Sequence, residues 1–278
     1  MAVRIITDST SDIPVESQKA LGIDIVSLSV IFGDKKYMDG VDFKKEEFYE
    51  MLSKSPVLPS TSQVNPDGFF DLFKNYTDAG DDVLLIVISS KLSGTYQSAV
   101  IAKDMVGADN IYLIDSYTTT FGLALLVYEA IAMRDKGAGA KEIYEKLMLL
   151  RDKIKFYAVV NTLKYLKMGG RLSSSQAVIG EVLGIKPLVS VANGEVKNVG
   201  KERGQKAAFA WILNQLKENP PDKNYPVFFG HSNAPRMITD FMVFLAQSVD
   251  KNPHRVFEIG GVIGTHAGPG CVGLAYIS

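Results

Sequence analysis

The chain has 278 residues, 46 % hydrophobic and 22 % charged, with a formal net charge of −1; this is the make-up of a globular protein with a real core and room for two domains. Lysine and arginine do not cluster, which argues against nucleic-acid binding, and the single cysteine, Cys271, excludes an intrachain disulfide and a cysteine-based zinc site. No apolar run approaches the ~20 residues of a membrane helix, and the opening residues read as a strand start rather than a signal peptide, so a cytoplasmic protein without an integral membrane segment is expected.

The first half alternates strand and helix signals. Val3–Thr7 is β-branched and is followed by the hydroxyl-rich Asp8–Asp12. Pro14 suits the first turn of a helix that Gly22 ends. Ile23–Phe32 reads as one strand, turned back at Gly33-Asp34 into Lys35–Met38. Lys44–Leu52 is a short helix, and Pro56–Pro59 cannot be helical. Ser60–Gln63 is then an irregular polar segment before a helix from about Pro66 to Ala79 that carries Phe69, Phe70, Leu72 and Phe73.

Asp82–Ile88 is a near-continuous apolar run of strand length, the kind buried on both faces of a parallel sheet. It empties into Ser89–Ala99, where a helix begins and continues to Met105. Such a turn aims free N–H groups and the hydroxyls of Ser89, Ser90, Ser93 and Thr95 beyond the strand's carboxyl end, where open α/β sheets bind ligands. A carboxylate or phosphate suits that spot; the same hydroxyls also suit plain helix capping. Ile111–Ile114 is a further strand, Phe121–Lys136 a helix apolar around most of its circumference and so buried, and Lys141–Lys153 an amphipathic helix. This alternation is the signature of a parallel sheet with crossovers.

The second half is of another kind. Phe156–Val160 is a strand, Leu163–Met168 a short helix, and Gly169–Ser173 a turn leading Arg171 into a new helix. Asn193-Gly194 between Ile185–Val191 and Glu195–Val199 is a strong hairpin signal, so antiparallel pairing is expected. Helices over Gln205–Glu218 and from Pro235 to about Val249 flank a strand at Val227–Gly230. Val256–Gly273 leads into a closing strand, Leu274–Ile277. The expected architecture is α/β in two domains, 1–153 with a mainly parallel sheet and 154–278 with a mixed one.

Of the three histidines, His254 falls in a polar loop and His231 suits a structural role. His266 lies in Gly264–Gly270, a stretch read as too glycine-rich for helix or strand and suited to close approach to a ligand. Ser93 lacks the Gly-x-Ser-x-Gly setting of a hydrolase nucleophile. Neither a P-loop nor a dinucleotide fingerprint occurs, and no convergent metal-ligand set can be assembled, so no cofactor or metal is expected.

Taken together, Thr7–Asp12, Ser60–Gln63, Leu92–Ala99, Asp115-Ser116, Gly169–Ser173 and Gly264–Gly270, in this order, resemble the DegV family, the fatty-acid-binding (FakB) subunits of bacterial fatty acid kinase. The resemblance implies an apolar tunnel between two α/β domains that holds one long-chain fatty acid as ligand. It implies that Ser93, Thr61 or Ser62, and His266 hold the carboxylate, with the Gly94 backbone assisting. The carboxylate would be presented to a separate ATP-dependent kinase subunit, which makes the acyl-phosphate; the chain itself would not be catalytic. Arg203 matches a family arginine linked to work with the kinase, and Arg171 is a second candidate for that contact. Gly204 stands where many members carry threonine and Val64 where proline is frequent, departures that bear on the kinase contact and not on the carboxylate site. Phe121, Ile179, Leu183, Ile185 and Ile263 are expected near the tunnel. Two other classes stay open on the residues alone: a phosphoryl- or acyl-transfer enzyme using His266 or Ser93 covalently, and a lipid-responsive regulator without a kinase partner.

Overall fold

The computed structural model describes residues 2–173, 183–249 and 251–278. In chain order the elements are β1 (Val3–Asp8), α1 (Gln18–Leu21), β2 (Ile23–Val26), β3 (Ser29–Phe32), β4 (Lys35–Met38), α2 (Lys45–Lys54), β5 (Ser60–Ser62), α3 (Asp67–Asp78), β6 (Asp82–Val87) and α4 (Thr95–Val106). There follow β7 (Ile111–Asp115), α5 (Thr120–Asp135), α6 (Ala140–Arg151), β8 (Ile154–Val159), α7 (Lys164–Met168), β9 (Ile185–Ala192) and β10 (Glu195–Arg203). The chain closes with α8 (Gln205–Glu218), β11 (Val227–Ser232), α9 (Pro235–Val249), β12 (His254–Glu258), α10 (Gly261–Ala267) and β13 (Cys271–Ile277).

The first half forms an all-parallel sheet, β2-β1-β6-β7, as the alternation of strand and helix predicts. The second half forms a six-stranded mixed sheet, β10-β9-β8-β13-β11-β12, antiparallel except between β11 and β12. A small antiparallel sheet, β4-β3-β5, accompanies the first.

Period-two alternation assigns each strand face to a separate core. On β6, Leu84 and Ile86 face one cluster, while Val83, Leu85 and Val87 face another with Phe48, Phe69 and Phe73. On β13, Ala275 and Ile277 join the cluster of Leu84, while Val272, Leu274 and Tyr276 pack under α8 and α9. The cluster shared by both large sheets is filled by α5, which touches β1, β6, β11 and β13. A helix between two sheets has no solvent face, which is why its sequence is apolar nearly all round.

Three sequence expectations are corrected. Ile23–Phe32 is not one strand: Ile23–Val26 pairs parallel with β1, whereas Ser29–Phe32 joins the small sheet. The break falls at Leu28, whose N–H donates to Ser9 Oγ and whose carbonyl accepts from Asp39. Ser60–Ser62 is not irregular but a strand, paired antiparallel with β3. The glycine-rich stretch around His266 begins as a helix, α10. The glycines within α10 serve packing, since a Cβ at Gly261 would lie 2.6 Å from the Phe43 ring and one at Gly264 2.7 Å from the Phe48 ring, while Gly268 and Gly270 beyond it turn the chain at positive φ. The helix expected after Ser173 lies outside the described residues.

Gly230 on β11 meets the ring of Phe121, which stacks on Phe156 at 4.6 Å between centroids. A Cβ there would stand 2.1 Å from Phe121 Cδ1. Gly230→Ala is expected to destabilise the fold by about 1–3 kcal/mol, as overpacking does. The check is a urea melt with a lower midpoint and an unchanged slope.

Candidate functional site

Between the two large sheets lies a cavity of about 150 Å³. Its walls come from both halves of the chain. Leu28, Ile88 and Leu92 contribute from the first, and Phe156, Val160, Val189, Val191 and Ile263 are among those from the second.

Most of the polar groups gather at one place on this wall. Thr61, Gln63, Ser93, Gly94, Arg171 and His266 all line it. Thr61 sits on β5 and His266 in the last turn of α10, with 2.8 Å between Thr61 Oγ1 and His266 Nε2. A Cβ at Gly169 would lie 2.1 Å from His266 Nδ1, so the absence of a side chain there lets the backbone close over the imidazole. Arg171 Nη1 donates to the Gly169 carbonyl at 2.6 Å, and Arg171 Nε to the Leu92 carbonyl at 3.1 Å. That ties the guanidinium to the turn before Ser93. A Cβ at Gly94 would stand 2.0 Å from Gln63 Oε1, and Gln63 Nε2 donates to Ser98 Oγ at 2.9 Å. Contacts therefore run from Gln63 and Gly94, through Leu92, Arg171 and Gly169, to His266 and Thr61.

The anchoring of α10 decides where His266 stands. The Gly260 N–H donates to Asp12 Oδ1 at 2.7 Å and the Gly261 N–H to Asp39 Oδ1 at 2.9 Å. Carboxylates at a helix N-terminus satisfy its free donors and its dipole. Tyr49 donates to the Ile259 carbonyl at 2.9 Å, and Lys45 Nζ to the Glu258 carbonyl at 2.6 Å. Burial pushes Asp12 up to about 7 and raises Asp39 as well.

His266 itself is buried, and its Nδ1 has no hydrogen-bond partner. Burial, and secondarily the charge of Arg171, lower its pKa to about 3. The imidazole is thus neutral near pH 7. Burial also lowers the pKa of Arg171.

Not every expected group converges. Ser62 is on the strand next to Thr61, but its Oγ reaches only the Gln63 carbonyl, at 3.5 Å, and it does not line the cavity. Ser89 is turned away, donating to the Gly194 carbonyl at 2.7 Å, and Ser90 is exposed. Ser93 Oγ lies 2.9 Å from Thr95 Oγ1. Arg203 is exposed at the end of β10, whereas Arg171 belongs to the cavity. Of the tunnel residues, Ile263 lines the wall and Phe121 stands one layer behind it, stacked on Phe156. Ile185 is partly buried off the wall, Leu183 is 95 % exposed, and Ile179 lies outside the described residues. Gln63, the residue just past β5, was missed. Among the described residues no three His, Cys, Asp or Glu side chains are placed to hold a metal ion, and no helix is long and apolar enough to cross a membrane.

A family profile described as an uncharacterised protein of the DegV family matches residues 2–278. The chain belongs to the DegV family. It is 38 % identical over 275 residues to a DegV domain-containing protein of Caldanaerobacter subterraneus, covering 99 % of this chain and 98 % of that one. Among solved structures it is similar to a DegV family protein from Thermus thermophilus described by its fatty acid binding. There the TM-score is 0.90 at 29 % identity, with 100 % of both chains covered. It is also similar to a stearic-acid-binding protein from Eubacterium ventriosum, with a TM-score of 0.87, 29 % identity, and 100 % and 98 % of the two chains covered. The DegV fold is thus shared end to end.

The imidazole yields a pH prediction. His266 binds its proton near pH 6.5 when unfolded and near 3 when folded, so below pH 6.5 the unfolded chain holds the extra proton. Relative to His266→Gln, the ligand-free wild type is expected to lose stability as the pH falls from about 6.5 towards 3, at up to about 1.4 kcal/mol per unit. Denaturant melts across that range give the slope; parallel curves for the two proteins would place the imidazole in solvent.

Proposed function

We propose that this chain encloses one long-chain fatty acid in the cavity between its sheets and presents the carboxylate to a separate ATP-dependent kinase subunit. The observation that carries the reading is a largely apolar cavity whose polar lining includes Thr61, Gln63, Ser93 and His266 beside the cation of Arg171. Hydroxyls and an imidazole can each donate to a carboxylate, and such charge-assisted bonds are the stronger kind. Arg171, near enough to His266 to lower its pKa, supplies the counter-charge in this reading. The Gly94 backbone borders the same wall, and an arriving anion would draw the His266 pKa upward.

The tail accounts for most of the affinity. Each buried methylene contributes about 0.8 kcal/mol, so roughly fifteen give on the order of 12 kcal/mol before ordering costs. Holding is favoured over covalent chemistry by the pairing of the side chains. Ser93 Oγ pairs with Thr95, and His266 Nε2 with Thr61, so no base is paired with the serine. The fatty-acid-binding DegV relatives support the ligand class. Arg203, exposed and outside the cavity, is the proposed kinase contact.

Mass spectrometry of the denatured protein is expected to release a long-chain acid. Ser93→Ala and His266→Ala are each expected to weaken binding on the order of tenfold or more, with thermal unfolding still cooperative. Failure of the wild-type chain to carry or take up any fatty acid would refute the reading. Arg203→Ala is expected to keep the lipid affinity and lower acyl-phosphate formation with the kinase subunit and ATP; an unchanged rate would remove Arg203 from the contact.

A further inference from the structure

The strands of the mixed sheet give the cavity a direction. Phe156 and Ala158 on β8, and Val160 just past it, line the wall at every second residue. β13 runs antiparallel to β8 with Val272 opposite Val159, so Cys271 stands at the Val160 end. His266 lies shortly before Cys271 in the chain, and Gly169 and Arg171 follow Val160 through α7. The polar cluster therefore occupies the Val160 end. Phe156 marks the other, about 13 Å further along the strand.

At that far end three strands meet in one row. The register that pairs Tyr157 with Ser190 sets Phe156 beside Val191, and Val191 pairs in turn with Val196. Beyond the row lies a second cavity, of about 170 Å³, and Phe156 and Val191 line both. Arg151, Lys155, Ser190 and Asn193 are among the other walls of the second. Two apolar side chains thus divide an apolar space from a polar one. The partition is firmly held. The Phe156 ring stacks on Phe121 at 4.6 Å between centroids, 8° from parallel. Phe121 is backed by Gly230, where even a Cβ would stand 2.1 Å from its ring, and a Cβ on Gly122 would lie 3.3 Å from Phe156 Cδ2.

We propose that Phe156, with Val191 beside it, is the end stop of the cavity and fixes the longest acyl chain that the protein holds. The proposal rests on the fatty-acid reading above and adds to it the residues that measure the chain. A tail gains by burial up to this row. Past it, the tail would press on charged and polar groups and strip them of water without pairing them.

The test is competition binding of the even-numbered saturated acids from lauric to behenic. It uses the wild-type chain, Phe156→Ala, Val191→Ala and Val191→Phe. Two added methylenes that find room tighten binding on the order of tenfold, and two that meet a wall do not. The wild type is therefore expected to gain affinity up to one acid of the series and to lose it at the next longer one. Phe156→Ala and Val191→Ala should move that maximum to a longer acid, and Val191→Phe to a shorter one. A merely structural loss would weaken all acids alike and leave the maximum in place. If Phe156→Ala does not fold, the two Val191 variants decide. The same maximum in every variant that binds an acid of the series, or a wild-type affinity still rising at behenic acid, overturns the end stop and leaves the fatty-acid reading standing. If none of the acids binds the wild type, both fall together.

Discussion

Two buried carboxylates from the first half of the chain hold a helix from the second. Asp12 and Asp39 accept the N–H groups of Gly260 and Gly261, and the helix they secure carries His266 near its far end. Without that grip the imidazole would not meet Thr61, which comes from a strand of the small sheet. Burial raises both carboxyls, so the hydrogen bonds are made where charge is expensive. A site assembled from both halves depends on such a link, because neither half holds the polar cluster alone.

The cavity follows from the layering. Strand faces that alternate cleanly between cores leave aliphatic side chains on the inner faces of both large sheets, and α5 fills part of the space between them. What α5 does not fill is walled largely by apolar side chains, valine, leucine and isoleucine chief among them. Such a space gains little from water and much from an alkyl chain. Glycines at 94 and 169 let backbone come close at the polar place, where a side chain would overlap Gln63 or His266. The fold thus supplies a dry volume and a polar group at its wall by the same packing that stabilises it.

Much of this was legible in the residues. The apolar run Asp82–Ile88 pointed to a buried parallel strand, Asn193-Gly194 to the hairpin, and the all-round apolar pattern of α5 to a buried helix. Ser93 and His266 stand in hydroxyl-rich and glycine-rich segments that draw notice, whereas joining them with Thr61 or Ser62 into one site came from the family resemblance. Their meeting could not be read locally, since 205 residues separate Thr61 from His266. The ten residues from Ile23 to Phe32 look like one strand because both parts are β-rich; only the tertiary pull of two different sheets divides them. Glycines around His266 argued against a helix, yet Gly261 and Gly264 let α10 press against Phe43 and Phe48, and the turn glycines Gly268 and Gly270 come only after it. Arg171 reads from the sequence only as a candidate partner contact, because its carbonyl partners at Leu92 and Gly169 come from the fold. The cavity walls stayed invisible for a plainer reason: the valines that line a tunnel and those that fill a core are the same residue type.

A crystal structure of the chain with bound palmitic acid addresses the site most directly. The carboxylate is expected within hydrogen-bond distance of Thr61, Ser93 and His266, with the tail between the sheets along Val189, Val191 and Ile263. A carboxylate at any other place on the wall, or a tail lying outside the cavity, would contradict the assignment of that polar cluster.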